Sequence, residues 1–163
     1  MKTELYRTIK EIDTEKFTSD DLEELLNFFM VTRNDLIRNH IALVFAELHY
    51  DKAVPYIIKK IREKNVSHNN GTLVYSLGSF DMRKYFIELI KIICLHEYEP
   101  RLMAYEIVHE LVPSISDQIK NNALKILEEQ RIKLQQIATD KGENSALHFV
   151  EKTKELLEPG SSA

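Results

Sequence analysis

This 163-residue chain has no tryptophan, one cysteine, four glycines and four prolines. A lone Cys94 excludes an intrachain disulfide framework; lying beside an apolar run, it reads as a small core side chain in a reducing compartment. With 44% hydrophobic and 29% charged residues the chain reads as globular and not disordered. Neither Gly71 nor Gly78 is followed by the Lys-Ser/Thr pair of a phosphate-cradling loop. No apolar run approaches the roughly 20 residues of a membrane span. Met1-Lys2-Thr3-Glu4 leads into an amphipathic pattern with no signal-peptide stretch, so a cytoplasmic location without membrane contact is expected. His96-Glu97 and His109-Glu110 each lack the second histidine of a zinc-binding helix, and no nucleophile-elbow pattern occurs. The expectation is therefore a chain with no catalytic activity, no metal and no cofactor.

What the chain does have is a repeat. Leu22/Leu25/Leu26/Phe29 returns as Val54/Ile57/Ile58/Ile61 and again as Phe86/Leu89/Ile90/Ile93, shifted by 32 residues each time, with a looser copy at Ala123/Leu124/Leu127. Spacing of i, i+3, i+4, i+7 lines one face of an α-helix. Leu5/Ile9/Ile12 recurs as Ile37/Ile41/Val44 at the same shift, giving two helices per unit. No alternating strand pattern competes with them. Stacked helix pairs are the sequence signature of an all-α solenoid, here about four antiparallel pairs plus a last helix around Ala146/Val150/Leu157.

Caps and breakers place the boundaries. Ser19 or Asp20 suits the start of the second helix, Asn34-Asp35 the third, and His49-Tyr50-Asp51 the turn into the fourth. Ser67–Gly71 is a loop, Pro100 opens a helix that Pro113 helps to end, and Ser116-Asp117 caps one running to about Thr139. One domain over residues 1–158 is expected, about 70% of its unfolded surface being buried, with residues 159–163 a flexible tail.

Asp35-x-x-Arg38-x-x-Ile41-Ala42-x-x-Phe45-Ala46-x-Leu48, followed by Asp51-x-Ala53-Val54-x-x-Ile57-Ile58-x-x-Ile61, resembles the HEAT repeat, and more closely the phycobilisome-lyase HEAT-like repeat. The likeness covers roughly residues 3–130. In the next unit Ala46 becomes Gly78 and Leu48 becomes Phe80; in the unit after that, Arg101/Ala104/Leu111 match Arg38/Ile41/Leu48 at a shift of 63. The resemblance implies a right-handed solenoid whose second helices line a concave face. Among family members, small bacterial stand-alone proteins of the toxin-immunity type are most similar.

On that implied face four columns recur: Asp20/Lys52/Lys84/Gln118, Glu24/Tyr56/Glu88/Asn122, Asn27/Lys59/Lys91/Lys125 and Val31/Glu63/Leu95/Glu129. Glu24, Tyr56, Lys59, Lys84, Glu88, Lys91, Asn122 and Lys125 are the candidate partner-binding residues, with Tyr56 an aromatic anchor. The formal charge is −4, yet residues 52–91 carry eight bases against three acids and residues 1–25 eight acids against four bases. The reading that follows is a non-catalytic protein-binding module, an immunity protein or inhibitor that occludes a cognate toxin. A nuclease toxin must be basic to hold phosphate, and the acidic N-terminal unit and Glu97/Glu99/Glu106/Glu110 offer a matching potential. The alternatives are a DNA-glycosylase-like nucleic-acid binder using the lysine column, and a scaffold or lyase-like subunit. Net negative charge and the absence of tryptophan disfavour nucleic acid.

Overall fold

The structure is a computed structural model that describes residues 17–63, 69–138 and 145–158. Among the described residues there are eight α-helices and no strand. They are α1 (Ser19–Val31), α2 (Asp35–Glu47), α3 (Val54–Ile61), α4 (Gly71–Leu77), α5 (Phe86–Leu95), α6 (Tyr98–Leu111), α7 (Asp117–Ala138) and α8 (Ser145–Leu157), with short 3₁₀ turns at Asp51–Ala53, Arg83–Tyr85 and Val112–Ser114. The chain divides into two compact units, Met1–Phe80 and Asp81–Ala163. The helix expected at Leu5/Ile9/Ile12, residues 67–68 of the expected Ser67–Gly71 loop and the 159–163 tail lie outside the described residues.

In the first unit α1 packs on α2, α2 on α4, and α3 on α4. The repeat explains why. Leu25 and Phe29 of α1, Ile37, Ile41 and Val44 of α2, and all four signature residues of α3 are buried. Phe29 meets Phe45 edge to face at 5.9 Å, joining α1 to α2. Burial of each such ring contributes about 2–3 kcal/mol.

The helix starts depart from the sequence reading at three places: α4 begins at Gly71, expected in the loop, α6 begins at Tyr98 and not at Pro100, and α1 is capped one residue early. Ser19 and Asp20 do not cap α1. The Thr18 hydroxyl accepts the Asp21 amide at 3.2 Å while the Asp21 carboxylate accepts the Thr18 amide at 2.8 Å, a reciprocal capping box one residue earlier. Asn34 caps α2 as expected, its side chain accepting from Leu36 and Ile37. At the other end of α2, His49 is left-handed (φ 49°). The Tyr50 amide returns to the Phe45 carbonyl and the His49 amide to Ala46. This is the paired bonding of a Schellman stop, and Tyr50 stacks at 5.6 Å on Phe45 to supply its apolar contact. Glycine normally holds that position.

The second unit is more closed. α5 packs on α6 and α7, and α8 packs on α5, α6 and α7. Phe86, Leu89, Ile90 and Ile93 of α5, Ala123 and Leu127 of α7, and Phe149, Val150 and Leu157 of α8 are buried among them. The last described helix therefore touches all three of its predecessors in the unit.

Candidate functional site

The 32-residue register orders exposure as well as burial. Of the sixteen column positions, Glu63 and Glu88 are half-buried and the others are exposed. In the first unit Glu24 lies on α1, Tyr56 and Lys59 on α3. Lys52, just before α3, bonds Glu23 of α1 at 3.2 Å, which ties the two stripes together and raises the lysine's pKa. Tyr56 is 41% exposed and Val31, at the end of the α1 stripe, 72%.

In the second unit Lys84 sits in the 3₁₀ turn before α5, Glu88 and Lys91 lie on α5, and Asn122 and Lys125 lie on α7, which packs against α5. Lys84 lies over the Tyr85 ring at 5.1 Å. Lys91 bonds Glu88 at 3.0 Å. Arg83 grips Asp81 with two bonds of 2.6 and 2.8 Å, holding that carboxyl at about 2. Leu95 ends the α5 stripe 71% exposed, the repeat equivalent of Val31. The eight candidate residues thus fall into two groups, three in the first unit and five in the second.

The burial of three cations, Arg38, Lys60 and Arg101, escaped the sequence reading. Arg38 bonds Asp35 at 2.7 Å, the Asn39 side chain and the Asn69 carbonyl, while Asn69 also bonds Asp35 at 2.7 Å. Lys60, next to the exposed Lys59, is buried and bonds Glu63 at 3.1 Å. Nothing in the apolar repeat distinguishes Lys59 from Lys60 beyond their angle on α3. The Arg38 network ties α2 to the chain just before α4, whereas the Lys60–Glu63 pair is local to the end of α3.

Burial pushes the Cys94 thiol up to about 12, so it is no nucleophile near neutrality. Burial, with Arg101 beside it, lowers the pKa of His96. Among the described residues no three histidine, cysteine or carboxylate side chains gather as a metal site would require, and no helix is long and apolar enough to cross a membrane. Comparison with protein-family models, curated proteins and solved structures gives no match.

Proposed function

We propose that the chain is a non-catalytic protein-binding module, a HEAT-like solenoid of the immunity or inhibitor kind that neutralises a cognate toxin by covering its active site. One observation carries the reading: the repeated outward stripe sets lysines beside exposed apolar side chains, Val31 and Leu95 in register and Tyr56 between them in sequence. Val31 and Leu95 stand exposed at repeat-equivalent ends of α1 and α5, and Tyr56 stands exposed on α3 in a neighbouring column, on helices whose other faces are buried. Folding gains nothing from a recurring exposed aliphatic residue or from an exposed aromatic beside it, whereas a protein partner gains an anchor.

The nucleic-acid reading is weaker for a specific reason. A phosphate rail works through uncompensated charge, yet Lys91 is bonded to Glu88 and Lys52 to Glu23. Mixed, locally paired charge suits selective protein docking.

The test is capture of a partner by the full chain, followed by titration of Tyr56→Ala and of Lys59→Glu/Lys91→Glu/Lys125→Glu. Loss of at least tenfold in affinity, about 1.4 kcal/mol, is expected for each. Affinities within about threefold of wild type for both would remove the stripe as the docking surface. Saturable binding of a short duplex at about 0.15 M salt, tighter than the nonspecific range of about 10⁻⁶ M, would favour the nucleic-acid reading.

A further inference from the structure

The stripe leaves one surface of the second unit unaccounted for. On α6, Tyr98, Leu102, Tyr105 and His109 fall on one line of the helix, because 7- and 4-residue steps return to nearly the same angle. Phe149 of α8 lies between the two tyrosines. Its ring is 5.8 Å from Tyr98 and 5.8 Å from Tyr105, at interplanar angles of 72° and 70°. Phe149 is buried, while Tyr98 is 59% exposed and Tyr105 half-buried. Two tyrosines therefore stand steeply against a buried phenylalanine base, with ring surface left to solvent.

Beside this row runs a second line on α6, Glu99, Glu106 and Glu110, all exposed. Glu106 and Glu110 are four residues apart, a spacing at which like charges destabilise a helix. Among the described residues no hydrogen bond or ion pair holds any of the three. The contrast with the α5 stripe is plain, since there Lys91 has Glu88 and here the carboxylates have no cation. Lys152 of α8, which interacts electrostatically with Tyr105, is already bonded to Glu155 at 3.0 Å. Electron-rich ring faces bordered by uncompensated carboxylates attract cations through both their quadrupole and their charge.

We infer that the α6–α8 face docks a basic segment of a protein, seating an arginine or lysine side chain against Tyr98 and Tyr105 while Glu99, Glu106 and Glu110 pair with its neighbouring cations. This rests on the protein-binding reading above and gives it a partner chemistry, at a surface separate from the lysine-bearing stripe. Charge complementarity selects that occupant: an acidic peptide or a nucleic acid would meet three carboxylates.

The probe is a capped decapeptide alternating arginine and glycine, titrated into the full chain, with a glutamate–glycine decapeptide as control. The arginine peptide should bind with a Kd of about 10–100 μM at about 0.05 M salt and several-fold more weakly at about 0.3 M, as exposed charges are screened. Tyr98→Leu/Tyr105→Leu keeps an apolar cover on Phe149 and should weaken binding about tenfold at both salts, the loss of two cation–ring contacts. Glu99→Gln/Glu106→Gln/Glu110→Gln should weaken it mainly at low salt and flatten the salt dependence. Tyr75→Ala, an exposed tyrosine of the first unit, should change nothing. Helical circular dichroism checks that each variant folds. The inference is overturned by no saturable binding below about 1 mM, by equal binding of the glutamate peptide, or by folded tyrosine and glutamine variants that bind like wild type. The Tyr56 and lysine variants report separately: failure of the peptide with a partner still lost on Tyr56→Ala removes this inference alone, whereas peptide binding with an unaffected Tyr56→Ala removes the stripe alone.

Discussion

Arg38 in the first unit and Arg101 in the second occupy the same place in the repeat, 63 residues apart, and both are buried, 2% and 7% exposed. Their surroundings differ. Arg38 is neutralised by Asp35 and braced by Asn39 and the Asn69 carbonyl. The same shift turns Asp35 into Tyr98 and Asn39 into Leu102. Arg101 has only backbone to bond: it donates to the Ile93 carbonyl at 2.8 Å and to the His96 carbonyl. Those carbonyls close the end of α5, where helix peptides leave acceptors without intrahelical donors and the dipole is negative. One unit compensates its buried cation with a carboxylate, the other with a helix terminus. The exchange frees position 98 to carry the exposed tyrosine of the α6–α8 face.

The largest expected effects test that difference directly. Arg38→Leu should cost about 2–3 kcal/mol, because it leaves the half-exposed Asp35 with Asn69 alone and takes the donor from the Asn69 carbonyl and the Asn39 side chain. Arg101→Leu should cost less, about 1–2 kcal/mol, since it leaves orphan carbonyls but no unpaired charge. Denaturant melts of both, with the double variants Asp35→Leu/Arg38→Leu and Tyr98→Leu/Arg101→Leu, sharpen the point. The first pair should couple by 1 kcal/mol or more and the second should add within about 0.5 kcal/mol. Equal coupling in both would erase the distinction.

A carbonyl socket has nothing to titrate, so acid must act on the second unit elsewhere. Glu128 of α7 accepts bonds from Arg131 and from Lys154 of α8, and they hold its carboxyl at about 2, below its ordinary 4.5. A carboxyl lowered by folding stabilises fully above its ordinary value and loses that contribution as pH falls towards the folded one. Melting temperature should therefore drop between about pH 4.5 and 2, and the drop should be shallower in Glu128→Gln. Parallel pH profiles for the two proteins would exclude this clasp as the cause.

The smallest effect belongs to the first unit. His49→Gly relieves a left-handed residue bearing a Cβ but loses the ring nitrogen's 3.2 Å contact with the Ser79 carbonyl. A net gain of about 0.5 kcal/mol is expected. A folded variant less stable than wild type would show that the imidazole contact outweighs the backbone strain.

The apolar repeat was legible because period 3.6 and period 32 act together. Ile57, Leu89 and Ala123 are buried and Lys59, Lys91 and Lys125 exposed, as their angles on α3, α5 and α7 require. Helix starts were legible at Asn34 but displaced at Thr18, where the reciprocal bond to Asp21 outcompetes Ser19 and Asp20. The polar core was not legible. Arg38 and Asn69 are 31 residues apart, and a cation whose partner is a carbonyl leaves no mark in composition. Nor was the aromatic row, since Tyr98 and Phe149 belong to helices joined only by packing and share no repeat position. The Glu99/Glu106/Glu110 line was visible as charge, but its tyrosine border needed α8 in place.

The position of α8 also sets an order of events during synthesis. α1 to α4 find their partners within the first unit, over short stretches of chain, and such local contacts form fast. The second unit must wait, because α5, α6 and α7 all rest on residues beyond 145. Until α8 is made, the apolar surfaces that will receive Phe149, Val150 and Leu157 stand open to water, and a half-made unit is the vulnerable species, the one open to misassembly or chaperone capture. Placing the last helix across three others makes completion of that unit a single late step.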